Sequence, residues 1–303
     1  KLFVIGNGFD IAHGLPTKYS DFQNYLLENY PEASDDCLVV PESFIMPDGE
    51  ESYNDIEVVS FLLKIITESE ATGEAWSDLE NTLGKLNLDG CFDDWNLYDN
   101  DDNEWHEVYR NEDIAANVCG AVQMIKKYFS NWVETIDVFK AKTKTNFSRL
   151  IEPDKDFFLT FNYTETLEHL YGVKNIFHIH GKQGGKLVFG HGNNIDYYDK
   201  YMDSHVGSES YLSELQLALK KDTQSIIKQN KKLFKEIGKV GQIYSYGFSF
   251  SEVDMVYIRE LCKESKTENM VWYFNSYDKD KFEIFKEELV KCGFKGKFDI
   301  FTI

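Results

Sequence analysis

Proline is scarce in this chain, cationic side chains are outnumbered, and cysteine comes as an odd, scattered set. Five prolines in 303 residues argue against long disordered linkers, which draw on proline and small polar residues. Lysine and arginine number 32 against 52 aspartates and glutamates, a formal charge of −20. A phosphate backbone is repelled by such a surface unless a local patch reverses it, so general nucleic-acid binding ranks low. One basic stretch exists, Lys220, Lys221, Lys228, Lys231, Lys232, Lys235 and Lys239, and its helical spacing reads as a solvated helix face. Cys37, Cys91, Cys119, Cys262 and Cys292 contain no CxxC pair, which fits a reducing compartment and no disulfide framework. No apolar run reaches the roughly 18 residues a membrane span needs. The run within Lys1–Gly6 is too short for a signal peptide. These absences lead to the expectation of a cytoplasmic protein without membrane association.

What the chain does have is aromatic side chains, 23 Phe, 18 Tyr and 5 Trp. The length suffices for one large domain with an inserted part, or for two small ones. Leu2–Ile5, stopped by Gly6 and Gly8, is a continuous apolar run that suits a strand buried on both faces. From 31 to 150 the pattern is mostly helical, with helices expected over Ile56–Ile66, Trp76–Leu86 and 112–143. An acidic loop spans 89–104. Its Asp99, Asp101 and Asn103 resemble a calcium loop, but Glu104 and Arg110 stand where that loop needs Gly and Glu, so calcium is rejected. Beyond 150 the period changes. Strands are expected at 157–161, 176–180, 187–189, 242–246, 270–274 and 297–303, with helices at 165–171, 210–238, 252–264 and 279–291. This alternation predicts right-handed crossovers and an open, doubly wound, mostly parallel α/β sheet with a mainly helical insertion after its first strand. The expected division is a core of 1–30 and 151–303 with an insertion or cap of 31–150.

In such a sheet, ligands sit outside the carboxyl ends of the strands, and four segments there carry chemistry. Gly6, Asn7, Gly8 and Asp10 follow the first strand. The glycines either let the backbone approach a diphosphate or make a tight turn; Ile11 stands where the dinucleotide fingerprint GxGxxG has its third glycine. Asn162 ends the next strand, to position a water or a ribose hydroxyl or to cap a helix. His178 and His180 lie two apart on a strand. A metal pair lacks a supporting Cys or carboxylate cluster. The alternative has His178 packed in the sheet and His180 beside Gly181 as a general base. Gly247 permits close approach; Ser249 or Ser251 can bond phosphate or ribose, and Ser251 also suits a helix cap. Asn275 and Ser276 either touch a ribose or make a turn. Trp76, Asp78 and Glu80 read as a core residue with either a carboxylate laid across the crevice or two solvated acids.

GNGFDIAHGLPTKYSDF at 6–22 resembles the opening signature of the AbiH family, linked to bacterial abortive infection of phage. WSDLE at 76–80, FNYTETLE at 161–168, HIHG at 178–181, FGHG at 189–192 and YGFSFSEVD at 246–254 resemble its later blocks in order. The block order is also similar to sirtuin-like, Rossmann-like NAD-binding domains. That resemblance implies phosphate binding at Gly6 and Gly8, nicotinamide-ribose contacts at Asn162 and His180, and nucleotide binding at Gly247 and Ser249. Thr164 departs from it, since sirtuins carry an Asp there, and the four-cysteine zinc module is missing.

Three functions are therefore weighed. The first is an antiviral-defence effector that hydrolyses NAD or a related nucleotide at the nicotinamide glycosidic bond without a metal. There Asn162 positions the water and His180 takes its proton. The second is a non-catalytic nucleotide sensor or toxin-like binding module acting through a partner. The third is a metal-dependent nuclease. The expected partners are a small nucleotide, a second copy of the chain and a phage-derived trigger.

Overall fold

The computed structural model describes residues 1–70, 76–93 and 104–303. Most of the acidic stretch, residues 94–103 with Asp99, Asp101 and Asn103, lies outside them. The chain divides into two compact units, one of Lys1–Lys18, Val133–Val188 and Asp222–Ile303, the other of Tyr19–Trp132 and Phe189–Lys221.

The first unit is built on six strands: β1 (Leu2–Ile5), β2 (Phe157–Thr160), β3 (Asn175–His178), β4 (Gln242–Tyr246), β5 (Val271–Asn275) and β6 (Lys297–Phe301). They pair in the order β3-β2-β1-β4-β5-β6, and every pairing is parallel. The order reverses between β1 and β4, the switch point at which an open α/β sheet leaves a crevice at its carboxyl edge. The physical origin of this sheet is visible in β1. Its four residues are fully buried, and alternate ones belong to different cores, because successive strand side chains point to opposite faces. Leu2 and Val4 pack with Leu159, Ile243, Trp272 and the apolar stripe of the helix Met255–Glu264. Phe3 and Ile5 pack with Phe9, Phe147, Phe158 and Tyr171. On that second face an aromatic ladder runs along one rung. Phe158, Phe3, Tyr244 and Tyr273 stack at 5.0, 5.0 and 4.4 Å between successive centroids. Helices on both faces thus follow from a strand with no polar side.

Leu187–Phe189, expected as a strand, is irregular. Val188 spends its backbone groups on His180 O (2.8 Å) and the Tyr163 hydroxyl (2.9 Å) rather than on a ladder.

Among the described residues, the regular structure of the second unit is helical apart from a two-stranded ribbon, Phe44–Ile45 with Glu51–Ser52. The expected helix over 112–143 is instead Glu104–Gln123 followed by Ile125–Thr135. Phe22, Trp76, Phe129 and Trp132 form its aromatic centre, and Phe189 stacks on Phe129 at 3.9 Å. Two expectations are corrected here. The basic stretch is no single helix face: one helix ends at Leu219, and Thr223–Gln229 and Lys231–Ile237 follow separately. Lys228, Lys231, Lys232, Lys235 and Lys239 are exposed, but Lys221 is buried. Its ammonium lies 2.7 and 2.9 Å from the two carboxylate oxygens of Glu80, which is itself buried rather than solvated. A buried lysine needs such a partner, since neither charge is tolerated alone away from water. Among the described residues, no helix is long and apolar enough to cross a membrane.

Candidate functional site

The carboxyl ends of β1 to β5 all belong to the first unit, and the expected site residues lie there. Ile5, Thr160, His178 and Tyr246 share one rung, and the chain leaves each strand just beyond it.

At the switch point the two glycine turns are packed backbone against backbone. A Cβ on Gly6 would sit 2.5 Å from the Gly247 carbonyl oxygen, and one on Gly8 would sit 2.7 Å from Gly247 Cα. The Gly6 N–H donates to Tyr246 O (3.1 Å), the Gly8 N–H to Gly247 O (2.9 Å) and the Phe9 N–H to Gly6 O (2.9 Å). Those three donors at the start of the first helix, Asn7–Ala12, are therefore engaged within the protein. Asn7 is exposed and donates from Nδ2 to Thr17 O at 2.6 Å, closing the loop behind that helix. Ser249 is exposed. Phe250 beside it adopts φ +56°, a conformation that costs a bulky residue on the order of 1–3 kcal/mol. Phe248 and Phe250 both lie in the core. Asn275 accepts from the Tyr277 N–H at 3.1 Å and caps the turn Ser276–Lys281.

Beneath this rim lie two buried polar clusters. The first joins the ends of β1, β2 and β3. The Thr164 hydroxyl donates to Asp10 Oδ2 at 2.5 Å, and the Thr166 hydroxyl donates to Thr164 at 2.9 Å. The Asn162 peptide is clamped from both sides, its N–H by the Thr160 hydroxyl (3.1 Å) and its carbonyl by His178 Nδ1 (3.1 Å). His178 Nε2 meets Glu168 Oε1 at 2.8 Å, so His178 is hydrogen-bonded as well as packed. Burial raises the Glu168 carboxyl, while the hydrogen bond and charge of His178, with Lys182, lower it further than that. Asp10 is 1% exposed. Burial pushes its carboxyl up to about 6, against the pull of Thr164, Thr166 and Asn162 and of the His178 charge. Asn162 comes near enough to favour the carboxylate. Beyond that mutual contact, Asn162 Nδ2 and Oδ1 and Asp10 Oδ1 close no short hydrogen bond within the protein. Buried polar atoms left so are uncommon and point to a ligand or an ordered water.

The second cluster centres on His180, 2% exposed. Its Nε2 lies 3.5 Å from Asp254 Oδ1, and the Ser251 hydroxyl donates to Asp254 Oδ2 at 3.3 Å. Phe161 and Tyr257 pack edge-on around the imidazole at 5.5 Å. Ser251 is thus a partner of Asp254 and not the cap of the following helix, which starts after Asp254. Sequence reasoning misses Asp254, Thr164, Thr166 and Glu168 as site residues. The alternation Thr164–Thr166 is the available signal, two hydroxyls flanking a helix start.

His13 of the opening signature is structural. Its Nδ1 meets Phe9 O at 2.7 Å and its Nε2 the Tyr171 hydroxyl at 2.6 Å, and that hydroxyl accepts from the Lys144 N–H. Burial lowers its basicity, and the neutral ring ties the first helix to the segment around Lys144. Among the described residues, no group of three or more His, Cys, Asp or Glu is arranged to hold a metal ion.

A carboxyl raised from an unfolded value near 3.8 to about 6 has a definite effect on stability. The folded state binds the proton more tightly, so the protein is penalised fully above pH 6 and not at all below about pH 3.8. Asp10→Asn keeps an acceptor for Thr164 and removes the titration. It is expected to stabilise the fold by about 2–3 kcal/mol at pH 7.5, with the gain vanishing toward pH 4. Urea unfolding at both pH values checks this; a gain that persists at pH 4 would contradict it.

A parallel sheet in this order, clad by helices on both faces and bearing polar clusters at its carboxyl edge, defines a Rossmann-like open α/β protein. The chain belongs to the bacteriophage abortive infection AbiH family, whose profile matches residues 2–276. No curated protein and no solved structure matches it significantly.

Proposed function

We propose that the protein is a cytoplasmic abortive-infection effector that binds NAD or a related nucleotide at the carboxyl edge of the sheet and hydrolyses its nicotinamide glycosidic bond. The family supplies the setting of phage defence. The observation that carries the chemistry is His180, buried beside the Asp254 carboxylate at 3.5 Å at the end of β3. A carboxylate beside an imidazole orients the ring and stabilises it when it gains a proton. Water attacks the anomeric carbon of the nicotinamide ribose. The C–N bond breaks, its electron pair leaves with neutral nicotinamide, and the water proton passes to His180. The products are ADP-ribose, nicotinamide and a proton. Asn162, with its peptide clamped and its amide beside the Asp10 carboxylate, orients the water or a ribose hydroxyl.

The burial of His180 and Asn162 favours one other reading, a nucleotide sensor that closes over its ligand without turning it over. The test is nicotinamide release from NAD by the purified protein, with and without phage-infected lysate, alongside calorimetric NAD binding. His180→Ala is expected to slow release by roughly 10²–10⁴-fold and to weaken binding far less. Binding without release under either condition leaves the sensor. Release that survives in a folded His180→Ala protein removes His180 from the mechanism.

A further inference from the structure

One segment of the first unit reverses the charge of the chain locally. Residues 138–151 hold no acid and four cations, Lys140, Lys142, Lys144 and Arg149, although acids outnumber cations 52 to 32 overall. All four are exposed. Lys140 lies 3.9 Å from Asp137; the other three make no ion pair among the described residues. Elsewhere on the same unit Lys155, Lys174, Lys286 and Lys291 each have a carboxylate oxygen within 2.9 Å. Phe139 stands in the same segment and is 76% exposed. It is not carried on a loose loop. Ile136, Val138 and Ala141 around it are buried, its own N–H donates to Asp137 Oδ1 at 3.0 Å, and the Lys144 N–H donates to the Tyr171 hydroxyl at 2.8 Å. His169 meets the ring edge-on with centroids 4.1 Å apart, holding it from one side while most of it stays open to solvent.

We propose that this surface binds a single-stranded nucleic acid, with phosphates on Lys142, Lys144 and Arg149 and a base stacked on Phe139. It uses none of the residues assigned to NAD and stands or falls apart from that reading. Cations alone attract any polyanion. A fixed, open aromatic ring among them adds a surface that a base of any sequence can stack on. The bases of a duplex are already stacked on one another, so an aromatic ring gains nothing from them until a strand is free. An anionic membrane is the other polyanion, but its grip grows with the apolar area it buries, and from Val133 to Val188 Phe139 is the only large apolar side chain this exposed among the described residues. Exposed Thr143, Thr145 and Asn146 lie between the cations and supply the neutral donors that usually accompany lysine and arginine on a sugar–phosphate chain. The later basic stretch, with Lys231 and Lys232, is exposed too, but no large apolar side chain is exposed within it.

The test is fluorescence anisotropy of a labelled single-stranded DNA of about 12 nucleotides, titrated with the full chain over a series of salt concentrations. The wild type is expected to bind at low salt. Phe139→Ala should weaken binding roughly 5–100-fold at every salt concentration, the worth of one stacked base. Lys142→Gln with Lys144→Gln should weaken it and also reduce the slope of log K against log salt by about 1.4, since each phosphate contact on a single strand carries about 0.7. Lys231→Gln with Lys232→Gln removes the same charge from the other basic stretch and should change neither quantity by much. All these side chains are exposed, and circular dichroism confirms that each variant is folded. A wild type that binds no single strand at low salt overturns the proposal. So does a Phe139→Ala protein that binds as well as wild type, or a control pair that loses as much as Lys142 and Lys144, which would assign the attraction to overall charge. Equal affinity for the blunt duplex of the same sequence would remove the stacked base. Binding to vesicles of anionic lipid without binding to the oligonucleotide would give the surface to a membrane instead.

Discussion

Gly247→Val is expected to cost about 2–6 kcal/mol and to deplete the folded protein at 37 °C. Two effects add. Gly247 has φ +65°, where a residue with a side chain is penalised by about 1–3 kcal/mol and a β-branched one most. Its Cβ would also lie 2.6 Å from Gly8 Cα. That neighbour is backbone at the start of a helix, so it has no rotamer with which to yield, and overpacking adds about 1–3 kcal/mol or more. Against a total stability of about 5–15 kcal/mol the loss is severe. Gly14 separates the two effects: it has φ +84° and nothing within 4 Å of the place a Cβ would take, so Gly14→Ala should show only the backbone penalty. Urea denaturation of both variants makes the comparison. If Gly247→Val is no worse than Gly14→Ala, the interlocked turns do not bear on stability.

Lys221→Met is expected to cost about 3–5 kcal/mol, the usual loss when one partner of a buried ion pair is removed. The cost comes from what is left behind, a Glu80 carboxylate enclosed without the ammonium that lay within 2.9 Å. Removing both charges, as Lys221→Met with Glu80→Leu, should recover most of the loss, because the isolated charge and not the missing attraction is the expensive part. Equilibrium unfolding of the single and double variants decides it. A double variant as unstable as the single one would show that the pair is held for packing or for other partners.

Much of the sheet was legible from its central strand, which is uniform. Leu2–Ile5 is apolar throughout, and only a strand covered on both sides asks for that. The glycines at 6, 8 and 247 were read as tight turns or as room for a ligand. Their mutual contact was not, since the turns that meet are separated by most of the chain. The same distance hid Asp10. In sequence it sits in a glycine turn and looks like part of a phosphate site. Its hydrogen bond to Thr164 spans 154 positions, and only the β1–β2 pairing creates the burial that raises its carboxyl. Lys221 failed for the opposite reason. A local rule, charges at helical spacing, assigned it to solvent, and the helix in fact stops at Leu219. The strand expected at 187–189 failed because apolar β-branched character does not tell a ladder from a loop strapped down by a tyrosine hydroxyl.

The position of β1 in the middle of the sheet bears on how the protein is made. Leu2 pairs with Phe157 on one side and Ile243 on the other, so β1 leaves the ribosome well before either of the strands that flank it. At about 5–20 residues per second of synthesis, the interval between Leu2 and Ile243 is roughly 10–50 s. Until Phe157 emerges the apolar β1 has no neighbouring strand, and until Ile243 it has only one. Contacts of such long range also slow the search once the whole chain is free. Asp10 meets Thr164 only after β2 is in place, and the glycine turns interlock only after Gly247 has emerged. The two polar clusters at the carboxyl edge therefore come into being in succession, the first after His178 has emerged and the second only after Asp254.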